Sequence, residues 1–387
     1  MNHQIDCISN PFKNKNFNLN WSSELAFKFH QSLPNYKPTP LVELKNFSKS
    51  IGINQCLVKD ESFRLNLNAF KVLGASYAMA LEIVKYLKLD VNDVTFEGIK
   101  KYSGQINNLT FTTATDGNHG RAVAWTAKQF GCKAIVYMPK GTSKNRLDAI
   151  LDNDASAEIT EFNYDETVKY TKNKASEKNW ILLQDSSWNG YLDIPQNIML
   201  GYSTMVTEFI KQYNNWPTHI IVQAGVGSFA ASILINFINQ SKPKSKPKLI
   251  ILEPHGAACF YNSIKVGDGS AHLIKELNTI MAGLSCGMPS LLAWNIIKEL
   301  ADYFAICSDD VAFKGMKICG NPIKGDQKIV SGESGAVPIG FLHAICTNND
   351  YDHIKKELNL NERSNVLFYS TEGDTDPDLY ERVLSLE

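Results

Sequence analysis

An α/β fold with two open, parallel-rich sheets and helices on both faces is predicted by three observations. Short β-branched or apolar runs recur along the chain, helical segments lie between most of them, and eight such runs over 387 residues suit two sheets better than one. The expected strands are 109–113, 134–138, 157–162, 181–184, 219–223, 249–252, 303–306 and 366–369. A helix is expected between the first two at 120–130, with Gly131 as its C-cap. An earlier helix opens at Lys71. Its apolar positions Leu73, Tyr77, Ala80, Val84 and Leu87 step by four and three, the stripe of a core-facing helix. Another helical stretch, 336–344, follows the small residues Ser331-Gly332-Glu333-Ser334-Gly335. The first 35 residues are polar and read as an irregular arm or a dimer contact. The basic Pro/Ser run 241–248 reads as a solvated linker.

Hydrophobic residues make up 44% of the chain and charged residues 20%, with a formal net charge of −1. That is the balance of an ordinary globular protein, and it gives no reason to expect a nucleic-acid or membrane partner. No apolar run reaches the length of a membrane span, and Met1-Asn2-His3-Gln4-Ile5-Asp6 has no signal-peptide core, so a cytoplasmic location is expected. The eight cysteines form no Cys-x-x-Cys pair, and most of them read as buried small hydrophobes in a reducing compartment. Cys286, within Gly283-Leu284-Ser285-Cys286-Gly287, is the one expected near a site. Whether it bridges to Cys259 stays open. His119, His255 and His272 lack metal-ligand spacing, and no metal is expected.

Four places carry candidate chemistry. Lys71 follows Asn68-Ala69-Phe70 at a helix start, where the helix dipole and apolar neighbours both disfavour its ammonium form. Such a lysine can form a Schiff base with an aldehyde. Thr115-Asp116-Gly117-Asn118-His119-Gly120 joins a strand to a helix, the place where α/β folds hold ligands. There the amides of Thr115, Asp116 and Gly117 can hold a carboxylate, and Asn118 offers an amide side chain. Asp116 is either part of that site or a helix cap. Gly225-Val226-Gly227-Ser228 can cradle a phosphate. The same run fits the dinucleotide pattern G-x-G-x-x-A, and Glu253 ends the next strand, so a nicotinamide-dependent oxidoreductase competes. Last, Ser370 and Thr371 place hydroxyls at a strand end.

In this order the motifs resemble the fold-type II pyridoxal-phosphate enzymes, the tryptophan synthase β family, over most of the chain. Asn68-Ala69-Phe70-Lys71-Val72-Leu73-Gly74-Ala75-Ser76-Tyr77, Ala114 to Arg121, Gln184-Asp185-Ser186-Ser187-Trp188, Met281 to Gly287 and Ser370 to Asp376 resemble more closely its diaminopropionate ammonia-lyase family. The resemblance implies pyridoxal 5'-phosphate as a Schiff base on Lys71. It implies a phosphate grip by Gly225, Val226, Gly227 and Ser228, and Asn118 on the ring hydroxyl. Ser370 or Thr371 would face the pyridine nitrogen. The expected reaction is elimination on 2,3-diaminopropionate, D and/or L, to pyruvate and two ammonia. Lys71 would be the base for the L isomer, and Asp116 the base for the D isomer or a binder of the β-ammonium. Asp185 is a second candidate for that ammonium. A serine or threonine dehydratase with the same cofactor is the nearest alternative. The resemblance further implies a homodimer and a small mobile domain at 69–201, with 1–68 and 202–387 forming the large one.

Overall fold

The structure, a computed structural model, describes the chain except residues 1–3, 15, 18, 20, 116, 241–245, 386 and 387 and the side chain of residue 93. Asp116 and most of the 241–248 linker therefore lie outside the described residues. The chain divides into two compact units. One comprises Met1–Trp21, Thr39–Phe63 and Glu208–Glu387, the other Ser22–Pro38 and Arg64–Thr207. Ser22–Pro38 thus joins the 64–207 unit, whereas the sequence division left it in the large domain.

The larger unit is built on a seven-stranded sheet. Its strands are β1 (Ile5–Ser9), β2 (Leu41–Glu43), β3 (Gln55–Asp60), β8 (His219–Gln223), β9 (Lys248–Pro254), β10 (Tyr303–Cys307) and β11 (Asn365–Ser370), in the order β1-β10-β9-β8-β11-β3-β2. The edge strands β1 and β2 run antiparallel to their neighbours and the rest are parallel. Central β8 and β11 are buried along their whole length. That is why they read in sequence as continuous apolar runs, the mark of a sheet covered on both faces. The other unit carries a four-stranded parallel sheet, β6-β5-β4-β7, from β4 (Thr110–Ala114), β5 (Lys133–Met138), β6 (Ser156–Ile159) and β7 (Ile181–Leu182).

All eight expected strands are present, with β6 and β7 shorter than expected. Three more were not expected. The first 35 residues are not an irregular arm: they contain β1 and the helix Glu24–Gln31. β3 escapes a hydrophobic pattern because it carries Lys59 in the core. Lys59 Nζ is paired with Glu208 at 2.6 Å, with both side chains fully buried, and also donates to the Thr39 carbonyl and Gln212 Oε1. A buried charge survives only with such partners.

The helix after Lys71 runs Val72–Leu87. It is buried from Val72 through Ala80 on every side, not along a single stripe. Glycine makes that possible. A Cβ on Gly201, in the helix Asp193–Gln212, would lie 2.3 Å from the Leu73 carbonyl oxygen, and one on Gly74 would lie 2.5 Å from the Tyr202 ring. The two helices pack backbone to backbone at that point.

Candidate active site

In the 64–207 unit, Lys71 is the cap residue at the start of the Val72–Leu87 helix, with φ −55° and ψ −25°. Its first turn is fixed from behind. His30 Nε2 bonds the Leu73 carbonyl at 2.8 Å, and His30 Nδ1 bonds Thr204 Oγ1 at 2.7 Å. Lys71 Nζ donates to Asp185 Oδ2 at 2.5 Å, so the amine expected among apolar neighbours has a carboxylate against it. Asp185 is 4% exposed. Burial pushes its carboxyl up, yet the Lys71 charge, the His119 imidazole and the hydrogen bond from Lys71 together hold it below the usual carboxylate range. Asp185 follows Gln184, whose Oε1 accepts from Thr113 Oγ1 and the Ala114 amide, both at 3.0 Å. The Lys71 partner is thereby tied to the end of β4.

The turn after β4 leads into the helix Asn118–Phe130, which closes on Gly131 in the left-handed region, as expected. Asn118 is its first residue. Two of the three amides expected to hold a carboxylate are already spent. Thr115 N–H bonds the Tyr137 carbonyl at 3.0 Å, which extends the β4–β5 ladder. Gly117 N–H bonds Thr115 Oγ1 at 2.9 Å, as does Gly120 N–H at 3.2 Å. The Thr115 side chain, 2% exposed, thus ties the turn to the first turn of the helix, whose cap residue is Gly117. It accepts twice, so its remaining donor is its own hydroxyl proton. His119 Nε2 bonds the Leu183 carbonyl at 2.7 Å. No cluster of three metal-ligating side chains occurs among the described residues.

In the larger unit, β8 ends in Gln223 and the chain turns through Gly225–Gly227 into the helix Ser228–Gln240. Both glycines are required by close approach. A Cβ on Gly225 would lie 2.9 Å from the Gly283 carbonyl oxygen. One on Gly227, at φ +92°, would lie 2.3 Å from the Phe260 ring. Val226 O accepts from Ser290 N–H at 2.9 Å. Among the described residues, the amides of Gly225, Val226 and Gly227 meet no acceptor. Unmet donors at a helix N-terminus form an anion cradle.

Glu253 does not serve a dinucleotide. It is 1% exposed, and its carboxylate accepts from the amides of Phe260 and Tyr261 at 2.8 and 2.7 Å. It caps the helix Cys259–Val266, which in turn braces the glycine loop through Phe260 and Cys259. Cys259 and Cys286 are both buried and are not joined in a disulfide.

Ser370 ends β11 fully buried, its Oγ donating to Ser331 Oγ at 2.8 Å. Thr371 Oγ1 accepts from Gln223 Nε2 at 3.0 Å. The small residues at 331–335 approach this strand end closely: a Cβ on Gly332 would lie 2.5 Å from the Gly373 carbonyl oxygen, and one on Gly335 3.1 Å from the Thr371 nitrogen. Gln223 was not among the expected site residues. Its signal was a lone amide ending the apolar run His-Ile-Ile-Val just before the glycines.

Residues 33–354 match the model of the pyridoxal-phosphate dependent enzyme family. The chain is 43% identical over 364 residues to a diaminopropionate ammonia-lyase of Salmonella typhimurium, covering 92% of this chain and 90% of that protein. It superposes with a TM-score of 0.93 on the crystal structure of Escherichia coli diaminopropionate ammonia lyase in complex with D-serine, at 41% identity, covering 99% of this chain and 97% of that one. The same protein in complex with an aminoacrylate-PLP azomethine reaction intermediate matches at 0.91, again at 41% identity and with the same coverage. These matches leave the nicotinamide reading without support, and the chain belongs to the diaminopropionate ammonia-lyase family of pyridoxal-phosphate-dependent enzymes.

Proposed function

We propose that the chain eliminates ammonia from 2,3-diaminopropionate, D and/or L, and that water uptake then yields pyruvate and a second ammonia. The observation that carries this reading is the Lys71–Asp185 pair at 2.5 Å: an amine placed to hold an aldehyde faces a buried carboxylate suited to a second ammonium. The residues fit pyridoxal 5'-phosphate, since the unmet amides of Gly225, Val226 and Gly227 match a phosphate and Lys71 matches the aldehyde. When bound, the cofactor supplies an electron sink for charge developing at the substrate α-carbon.

Lys71 anchors the cofactor and takes the α-proton of the L isomer on Nζ. With that nitrogen engaged, the Asp185 carboxylate turns from Lys71 to the substrate's β-ammonium and keeps the leaving nitrogen protonated. Ser228 opens the helix that presents the phosphate cradle, and Asn118 bonds the ring hydroxyl. The Thr115 and Gly117 amides being spent, the Thr115 hydroxyl donates to the substrate carboxylate. Thr371 faces the pyridine nitrogen, because the Ser370 hydroxyl is committed to Ser331. Asp116 is the base for the D isomer, on its place between Thr115 and Gly117 in sequence. A homodimer in the cytoplasm is proposed on the family resemblance. Among the described residues, no helix is long and apolar enough to cross a membrane.

The test is product stoichiometry on each isomer. Two ammonia per pyruvate from diaminopropionate are expected; turnover of serine or threonine alone would assign a dehydratase. Asp116→Asn is expected to lose about 10²–10⁴-fold on the D isomer and little on the L isomer. Equal losses on both would remove Asp116 from the role of second base.

A further inference from the structure

Gln223 is 1% exposed at the end of β8, and its side-chain amide reaches across to the end of β11. Nε2 donates to the Tyr369 carbonyl at 3.1 Å and to Thr371 Oγ1 at 3.0 Å. A carbonyl can only accept, so Tyr369 determines which end of the amide points there. Both N–H bonds of Gln223 are thereby used. Thr371 must then accept from Gln223, and its own hydroxyl proton has to point elsewhere. Among the described residues no acceptor takes that proton. Thr371 is 5% exposed, so bulk water does not readily serve either.

The Tyr369 carbonyl thus holds the N–H end of the Gln223 amide, and not its oxygen, against Thr371. The strand end has little room to adjust. A Cβ on Gly335 would lie 3.1 Å from the Thr371 nitrogen and 3.0 Å from the Glu372 carbonyl oxygen.

We propose that Gln223 is a positioning residue: it turns the Thr371 hydroxyl into an obligatory donor and so keeps the pyridine nitrogen of the bound cofactor unprotonated. This rests on the reading that Thr371 faces that nitrogen. An unprotonated nitrogen accepts the Thr371 proton. A protonated one would present a second donor to an oxygen whose own proton already lacks a partner, and a buried donor left unmet is unfavourable. Replacing Gln223 removes the N–H that Thr371 accepts from, so the Thr371 oxygen can accept from a protonated ring instead.

The experiment is the ¹⁵N resonance of the ring nitrogen, followed against pH in holoenzyme loaded with ring-¹⁵N pyridoxal phosphate. The wild type is expected at the unprotonated position. Gln223→Leu should raise the pH of half-protonation by about one unit or more, a tenfold change in the protonation equilibrium. Gln223→Glu, whose carboxylate accepts the Thr371 proton, should shift it the same way, and serves if the leucine variant does not fold. A protonated ring in the wild type overturns the proposal. So does a resonance that moves in Thr371→Val but in neither Gln223 variant, which would leave Thr371 in place and Gln223 a structural residue. A resonance unmoved by Thr371→Val would instead overturn the placement of Thr371 on which the proposal rests.

Discussion

Gly201→Ala tests how the Lys71 helix is held. The new methyl would stand 2.3 Å from the Leu73 carbonyl oxygen, 2.8 Å from Gly74 Cα and 2.9 Å from the Leu73 carbonyl carbon. Ordinary contact begins near 3.4 Å, so the shortest approach must open by 3.4 − 2.3 = 1.1 Å. Every atom in the way is backbone, so no side chain can swing aside. The Leu73 carbonyl is also bonded to His30 Nε2, and moving it loosens a buried hydrogen bond. Overpacking of this kind costs about 1–3 kcal/mol, and a strained buried bond adds about 1–3 kcal/mol. Alanine returns about 1 kcal/mol of helix propensity. The net expectation is a loss of roughly 1–5 kcal/mol. Lys71 lies two residues from the displaced carbonyl, and a shift near 1 Å at a reacting group costs about 10²-fold in rate. Guanidinium denaturation of the purified holo protein reads the first quantity, and turnover of diaminopropionate reads the second. A variant with an unchanged midpoint and wild-type turnover would refute the backbone contact as the element that positions Lys71.

Two other perturbations have definite expected outcomes. Asp185→Asn removes the carboxylate held against Lys71. It is expected to lower turnover of diaminopropionate by about 10- to 100-fold, the worth of a hydrogen bond to a charged group, and to lower elimination from serine less, because serine has no β-ammonium. Equal losses on the two substrates would remove Asp185 from ammonium binding. Glu253 sets a pH dependence. Burial pushes its carboxyl up to about 8 from 4.5, against the pull of the two amides it caps. The folded chain therefore binds the proton more tightly than the unfolded one. The stabilisation is fully present below 4.5 and is lost as pH rises through about 8, at up to about 1.4 kcal/mol per pH unit between them. Glu253→Gln should flatten that part of the stability–pH curve, and an unchanged slope would show that the buried carboxyl is not its source.

The parts of the fold legible in sequence are those whose burial is uniform. β8 was delimited to the residue because His219–Gln223 lies between polar turns and is buried on both faces. The Lys71 helix and the glycine loop were placed correctly, because apolar residues at helical spacing and closely spaced glycines are local signals, although the helix proved buried on every side over its first half. What escaped depends on contacts distant in sequence. β3 hides behind Lys59, whose partner Glu208 lies far along the chain. The edge strands β1 and β2 are short and partly exposed, so they lack an apolar run. The turn at 115–117 was legible as a turn, but nothing local says that Thr115 and Gly117 spend their amides on Tyr137 and on the Thr115 hydroxyl. Glu253 matched a ribose-binding position in spacing alone, and its actual partners are the Phe260 and Tyr261 amides that the following turn brings back to it. Gln223 acquires meaning only once β8 and β11 are neighbours.

Borohydride reduction of the cofactor-loaded protein, followed by peptide mass spectrometry, tests the central claim most directly. The account predicts the reduced cofactor on the peptide containing Lys71, and loss of the visible cofactor band in Lys71→Ala. A label on another lysine, or a band that survives in Lys71→Ala, would contradict it.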